Sequence, residues 1–256
     1  MLRKVRKLAS LLSYLRKYPS VEIVGAPAWV SMIHKSKAAI DGYYSQCGQD
    51  RYIDALINDG QIQISEKIFV DVGCNHPVKH NNSYLFESRH GFKVYAIDAI
   101  SEIGEQWAKE RPSAEFINSA VGKQEGVISF CLCSGAEEAS MYSSVVGASK
   151  KQRDLDSEVR EVKVNKISSL LESRRISSVD IMSIDIEGYE LEALQGIDFK
   201  ELKLGVVLVE NNDKNHGLGA DEVRDLMTSK GFVYRARFWN LDDLFICPDR
   251  VSAIPQ

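Results

Sequence analysis

Short apolar runs recur along the chain and alternate with longer segments that mix apolar and charged residues. Such runs occupy residues 68–72, 93–97, 115–117, 180–184 and 205–209. Residues 50–58, 191–194 and 221–230 instead place apolar side chains at helical spacing. Strands that are buried on both faces give continuous apolar runs, and helices connect parallel strands. The pattern therefore predicts an α/β fold built on a mostly parallel sheet.

Two further runs lie close together near the end of the chain. Residues 232–238 and 244–247 are separated by a short segment, which predicts a terminal antiparallel pair of strands. Between residues 127 and 164 the pattern is irregular. A strand is predicted at 127–133 and a serine-rich turn at 140–144, and the charged stretch 150–160 is typical of a solvated helix face. We interpret this region as an insertion near the functional site.

The pattern in the first 42 residues predicts a helical extension, and residues 43–256 are predicted to form the main domain. Residues 1–18 carry six basic residues and no acidic residue, with apolar residues near helical spacing. A second helix is predicted around residues 29–39. The basic amphipathic leader can pack on its own domain, lie on an anionic membrane surface or dock on a partner protein.

Composition narrows the class of protein. A length of 256 residues suits one large α/β domain. The net charge of -4 gives no electrostatic reason to bind nucleic acid. The five cysteines form no CxxC pair, and no apolar run reaches the roughly 18 residues of a membrane-spanning helix. We expect a reduced cytoplasmic protein, with the leader as its only link to the inner membrane face.

The residues at the end of the first predicted strand are suited to a nucleotide-like ligand. Residues 71–75 read Asp-Val-Gly-Cys-Asn, where Gly73 allows close backbone approach and Asn75 tolerates a left-handed conformation. The full G-x-G-x-x-G fingerprint is missing, which disfavours a dinucleotide and a nicotinamide oxidoreductase. A cofactor without phosphates fits better.

The next two strands end in further polar residues. Asp98 can accept hydrogen bonds from ribose hydroxyls, or it can cap the following helix. Ser119 and Ala120 follow the third strand, where small residues and backbone amides can border an adenine ring.

Residues 183–190 form the most specific segment, Ser-Ile-Asp-Ile-Glu-Gly-Tyr-Glu, directly after a predicted strand. At this point the chain resembles the FkbM family of methyltransferases. The Ser-Gln-Cys-Gly-Gln-Asp segment at 45–50 is similar to the S-Q-x-G-Q-D motif of that family, and residues 71–75 resemble its D-V-G turn. Asn82 and Ser83 match part of its S-N-T segment. The resemblance covers residues 43–247.

The resemblance implies a Rossmann-like class I methyltransferase fold, with a mostly parallel seven-stranded sheet closed by an antiparallel hairpin. It also implies S-adenosylmethionine as the methyl donor. The cofactor-binding residues are then predicted to be Asp71, Gly73, Asn75, Asn82, Ser83, Asp98, Ser119, Ala120 and Asp185. Tyr189 stands where many members have histidine, so a base must be sought elsewhere.

An alcohol must lose its proton as its oxygen takes a methyl group, so a carboxylate or histidine is expected within reach. Asp185 and Glu187 are the first candidates for the catalytic base, and Glu210 is the third. The same carboxylates could instead hold a divalent metal ion, completed by Glu210 or Asn211. A third interpretation makes Glu187 a helix cap that has no part in catalysis.

The sequence thus predicts O-methylation of a hydroxyl on a sugar, a glycan or a glycosylated metabolite. N-methylation, or methylation of a small molecule other than a sugar, is the alternative among enzymes. A non-catalytic scaffold that binds S-adenosylmethionine is the alternative of another class. The expected partners are a small-molecule or glycan acceptor.

Overall fold

A computed structural model describes residues 16–18, 20–24, 42–134, 139–148, 156–212, 221–238 and 241–251. The strands belong to two sheets. They are β1 Glu22–Val24, β2 Ile68–Val72, β3 Lys93–Asp98, β4 Glu115–Asn118, β5 Ala120–Val121, β6 Gly126–Ser134, β7 Ser144–Val145, β8 Asp156–Asn165, β9 Ser178–Ile184, β10 Lys203–Glu210, β11 Val233–Phe238 and β12 Asp242–Ile246. The helices are α1 Gln49–Asn58, α2 Tyr84–His90, α3 Gly104–Glu110, α4 Ile167–Glu172, α5 Glu190–Gln195 and α6 Asp221–Ser229.

The main sheet has eight strands in the order β1-β11-β12-β10-β9-β2-β3-β4. Only β12 runs antiparallel to its neighbours. The predicted mostly parallel sheet with a terminal antiparallel pair is therefore confirmed. Seven of its strands form the expected methyltransferase arrangement.

The eighth strand, β1, comes from the segment for which the sequence predicted only helices. It pairs in parallel with β11, with Glu22 opposite Ala236 and Val24 opposite Phe238. The predicted helix at 29–39 and the leader up to residue 15 lie outside the described residues. None of the described helices has the length and apolar character needed to cross a membrane.

The core lies on both faces of the main sheet because neighbouring residues of its strands point to opposite sides. In β2, Val70 and Val72 face the cluster that contains Met182 and Leu194. Phe69 faces the other cluster, which also contains Phe86 of α2. Burial on both faces is the physical reason for the uninterrupted apolar runs.

The predicted insertion is a second sheet of four strands, in the order β5-β8-β6-β7. The strand predicted at 127–133 is confirmed within β6. The charged stretch 150–160 was expected to form a solvated helix face, but its described part, residues 156–160, belongs to β8 and pairs with β6. The helix prediction is wrong there because an exposed strand shows charged residues much as a solvated helix does.

The carboxyl ends of β2, β3, β9 and β10 meet at one edge of the main sheet. Chain order reverses between β2 and β9, since the strands continue to β3 on one side and to β10 on the other. Ligands of open α/β sheets bind at such a switch point, outside the carboxyl ends of the strands.

Candidate active site

The turn after β2 is packed against the turn after β9 with no room for a side chain. Gly73 has a φ of 78°, and a Cβ atom built on it would lie 1.7 Å from the backbone oxygen of Asp185. Asp185 N–H donates to the carbonyl of Val72 at 2.9 Å, and Gly73 N–H donates to Ile97 O at 2.9 Å. Only glycine permits this approach, which fixes the ends of β2, β3 and β9 relative to one another.

Asp98, at the end of β3, is buried and organises the backbone around it. Its carboxylate accepts hydrogen bonds from Asn75 N–H at 3.0 Å and from Ile100 N–H at 2.9 Å. Burial raises the pKa of Asp98 to about 6, although both backbone hydrogen bonds act in the opposite direction. A carboxylate has further lone pairs beyond these two bonds, so Asp98 can still accept from a ligand hydroxyl.

A cavity, called the inner pocket here, opens between the main sheet and the second sheet. Its polar lining includes Gly73, Asn75, Asp98, Ser119, Asp185 and Glu187. Its apolar lining includes Val72, Ile97, Ala120, Val121, Phe130 and Val145. An apolar slot with a few polar groups at one end suits a planar base joined to a ribose.

A second cavity of about 420 Å³, called the outer cleft here, continues from the inner pocket. The two cavities share Gly73, Asn75, Ser140, Met141, Asp185 and Glu187. The outer cleft adds mainly polar residues: Gln46, His76, Lys79, His80, Gln106, Glu210 and Asn212. Ligands that occupied the two cavities would meet at the same carboxylate groups.

Asp185, Glu187 and Glu210 come together at this junction, with one carboxylate oxygen of each within 4.8 Å of the others. Glu187 and Glu210 are buried, whereas Asp185 is open to the cavities. Its position in the wall of two cavities, away from bulk water, and the nearby charges of Glu210 and Glu187 raise the pKa of the Asp185 carboxyl well above the usual range. Such a group can take up a proton, and the three oxygens together could also hold a hard divalent cation.

Glu190 holds the turn that carries these acids. Its carboxylate accepts hydrogen bonds from Ile186 N–H and Gly188 N–H, both at 3.0 Å. Burial, and then the charge of Glu210, raise the pKa of Glu190 to about 8. Glu187 itself has a left-handed backbone with a φ of 55°. A non-glycine residue in this conformation is held there by its surroundings, as is common at functional sites.

Three residues predicted to bind the cofactor line neither cavity. Asp71 and Ser83 are buried, and Asp71 accepts hydrogen bonds from Ser83 Oγ at 2.7 Å and from Asn81 Nδ2 at 3.0 Å. Arg111 donates to Asn81 Oδ1 and to Ser83 Oγ, both at 3.0 Å. Asn82 donates to Ser183 Oγ at 2.9 Å. These contacts hold the loop between β2 and α2, and direct contact with the cofactor stays a prediction for all three.

Replacing Asp71 with alanine is expected to destabilise the protein. The change removes one buried acceptor from the Asn81 amide and from the Ser83 hydroxyl, and it removes a carboxylate close to Arg111, at a cost of about 1–3 kcal/mol in free energy of unfolding. Urea unfolding followed by circular dichroism measures this, with the exposed Asp249→Ala as the matched control. Equal midpoints for the two variants would contradict the structural role of Asp71.

The segment at 45–50 places a residue in the outer cleft that the sequence did not single out. Asp50 accepts hydrogen bonds from the backbone N–H of Tyr44 and Ser45, and Gln49 Oε1 accepts from Cys47 N–H at 2.7 Å. Gln49 also donates to Asp242 of β12. With the loop fixed in this way, the remaining amide side chain, Gln46, lines the cleft. The position of Gln46 within the matched motif at 45–50 could have indicated this role from the sequence.

The fold and the site define a class I methyltransferase that uses S-adenosylmethionine. The sequence model of the methyltransferase FkbM domain matches residues 71–234. The chain belongs to the FkbM methyltransferase family and is an enzyme, which removes the scaffold and oxidoreductase alternatives.

One solved structure that the chain matches is that of a TehB-like S-adenosylmethionine-dependent methyltransferase from Corynebacterium glutamicum. It is 14% identical to this chain, with a TM-score of 0.44, and the match covers 87% of this chain and all of that protein. A comparison with curated protein sequences gives no match.

The lining of the inner pocket suits the adenine and ribose of S-adenosylmethionine, and its volume of about 60 Å³ requires the rest of the cofactor to extend towards the outer cleft. The Asp98 carboxylate can accept from ribose hydroxyls, and Ala120, Val121 and Phe130 form an apolar wall that could hold an adenine ring. Gly73 and Asn75, from the turn after β2, line this pocket. Asp185 and Glu187 of the acidic cluster also line this pocket, and negative charge there would favour a bound sulfonium.

Binding of S-adenosylhomocysteine is expected to weaken as the pH falls below about 6, because Asp98 then takes up a proton. The affinity should fall by up to about tenfold per pH unit below that point. The folded-state pKa of Asp98 lies above its unfolded value. Protonation therefore favours the folded protein, and this group does not cause acid unfolding.

Calorimetric titration between pH 5 and pH 8 measures the effect. The Asp98→Asn variant should bind more weakly and lose most of this pH dependence. A wild-type affinity that stays constant across the range would contradict ribose recognition by the Asp98 carboxylate.

Proposed function

We propose that this enzyme transfers a methyl group from S-adenosylmethionine to a hydroxyl of a sugar, a glycan or a glycosylated metabolite. The observation that carries the proposal is the position of Asp185 at the junction of the inner pocket and the outer cleft. A carboxylate there meets both a methyl donor in the pocket and a hydroxyl in the cleft.

S-adenosylmethionine, when bound, supplies a methyl group that is already activated by the sulfonium. The residues of the chain must therefore position the acceptor oxygen, exclude water and remove a proton. Asp185 accepts the hydroxyl proton, and its raised pKa makes it a stronger base than an ordinary carboxylate. The nearby charges of Glu210 and Glu187 favour its protonated form.

The outer cleft supports a hydroxyl-rich acceptor. Gln46 and Asn212 offer amide groups, and His76 adds a ring nitrogen. A volume of about 420 Å³ lies in the range typical of sites for small molecules. Side chains that both donate and accept hydrogen bonds are suited to sugar hydroxyls, which do the same.

The reaction would take place in the cytoplasm, with the leader available for contact with a membrane or a partner. All five cysteines are free thiols, as a reducing compartment allows. Where the leader ends, Lys17 and Tyr18 both bind Asp221 of α6, at 2.6 and 2.9 Å. This contact favours packing of the leader end on its own domain, and co-sedimentation with anionic vesicles would test the membrane alternative.

Labelled methyl transfer tests the acceptor class. Purified enzyme is incubated with methyl-labelled S-adenosylmethionine and matched panels of sugars, sugar nucleotides, phenols and amines. Label on a sugar oxygen, located by mass spectrometry, supports the proposal. Label on nitrogen or on a non-sugar hydroxyl would replace it with the corresponding alternative. Calorimetric binding of S-adenosylhomocysteine confirms that each preparation is competent.

A further inference from the structure

Among the residues that the structure describes, strand β8 has no neighbouring strand along most of one edge. On one side it pairs with β6 from Asp156 to Asn165. On the other side only Val164 and Asn165 are paired, with β5. Within the described part of the chain, residues 156–163 thus leave one edge of the four-stranded sheet open. An open edge of this length is a template for another strand.

The backbone groups on the open edge follow from the pairing with β5. On that side, the carbonyl of Asn165 accepts a hydrogen bond from Gly122 N–H. Backbone groups of successive residues point to alternate sides of a strand, so the odd-numbered residues of β8 direct their amide and carbonyl groups to the open edge. Ser157, Val159 and Glu161 therefore offer hydrogen bonds there.

The side chains of β8 match an antiparallel copy of the same strand. A two-fold axis through Val159 places this residue opposite its own copy, and Glu158 of each copy opposite Arg160 of the other. Val159 is apolar yet 61% exposed in the single chain. The same register sets Ser157 opposite Glu161. A two-fold axis through Arg160 would place two arginines opposite each other, and one through Glu161 would do the same with two glutamates. Like charges directly opposite are destabilising, so the register through Val159 is favoured.

We propose that the enzyme forms a two-fold dimer in which β8 pairs with β8 of a second copy, joining the two four-stranded sheets. Arg160 already binds Glu102 within its own chain, with hydrogen bonds of 2.6 and 2.9 Å. A guanidinium has five N–H donors, so Arg160 can bridge Glu102 and Glu158 of the second copy. The occupant of the edge is a second copy because the charge pattern of the strand is complementary to itself.

Sedimentation velocity of the full chain, from low to high micromolar concentration, tests the proposal. The wild type should sediment as a two-chain species of twice 28.7 kDa. Val159→Glu places two carboxylates directly opposite each other and should weaken self-association at least about tenfold. Val127→Glu is the matched control, since Val127 is 65% exposed on the neighbouring strand β6, away from the proposed axis.

A charge exchange tests the register. Glu158→Arg alone opposes two arginines and should weaken the dimer, and adding Arg160→Glu should restore it because the pair is complementary again. A wild type that stays monomeric at every concentration would overturn the proposal. So would a Val159→Glu variant that dimerises as well as Val127→Glu.

Discussion

Replacing Asp185 with asparagine should lower the turnover number for methyl transfer by roughly 10²–10⁴, the usual contribution of a positioned base. The amide keeps the size of the carboxylate but cannot accept a proton at its nitrogen. Binding of S-adenosylhomocysteine should change far less, because the contact of residue 185 with Gly73 is made by its backbone. Turnover is measured with the acceptor found by labelled transfer, and binding by calorimetry.

Glu172→Gln is the matched control, since it removes an exposed carboxylate of α4 that lines neither the inner pocket nor the outer cleft. Full activity in Asp185→Asn would contradict the assignment of the base. Glu210→Gln and a chelator then distinguish two chemistries of the acidic cluster. If the cluster acts as a base, the chelator has no effect and Glu210→Gln is milder than Asp185→Asn. If it holds a divalent cation, the chelator abolishes activity and both variants lose it alike.

Replacing Gly73 with alanine should be the most damaging single change at the site. The new Cβ atom would lie 1.7 Å from the backbone oxygen of Asp185, so the ends of β2 and β9 must separate. We expect the free energy of unfolding to fall by at least about 2 kcal/mol more than in a control with the same backbone strain. Binding of S-adenosylhomocysteine should be lost as well, since the turn borders the inner pocket.

Gly60→Ala provides that control. Gly60 has a φ of 68°, close to the 78° of Gly73, and no atom lies within 4 Å of the position that its Cβ would take. The difference between the two variants therefore isolates the collision from the strain of a left-handed backbone. Equal losses in urea unfolding would show that the turn tolerates the extra atom.

The parallel strands could be predicted because a strand that is buried on both faces appears in the sequence as an uninterrupted apolar run. Residues 68–72 were predicted as a strand and form β2, and 93–97 lies within β3. The sequence pattern of β1 and β8 is less distinct. Three residues are too few to show a period in β1, and β8 carries charges on its exposed positions.

The candidate site could be predicted in its outline but not in the direction of each side chain. Asp71 and Asp98 both lie at strand ends, and the sequence treats them alike. Asp71 faces inward because the buried Arg111, together with Asn81 and Ser83, surrounds it, whereas Asp98 lines the inner pocket. The position of Arg111 beside that loop is a result of tertiary packing, which no local pattern reveals.

The edge strand β1 also bears on how the protein is made. Glu22 lies opposite Ala236, so the two residues that meet there come from distant parts of the chain. A ribosome releases Glu22 long before Ala236, and the segment around β1 must remain unpaired until β11 has emerged. Among the described strands of the main sheet, the first to be synthesised thus finds its partner only near the end of translation. Completion of the sheet has to wait until translation has passed β12.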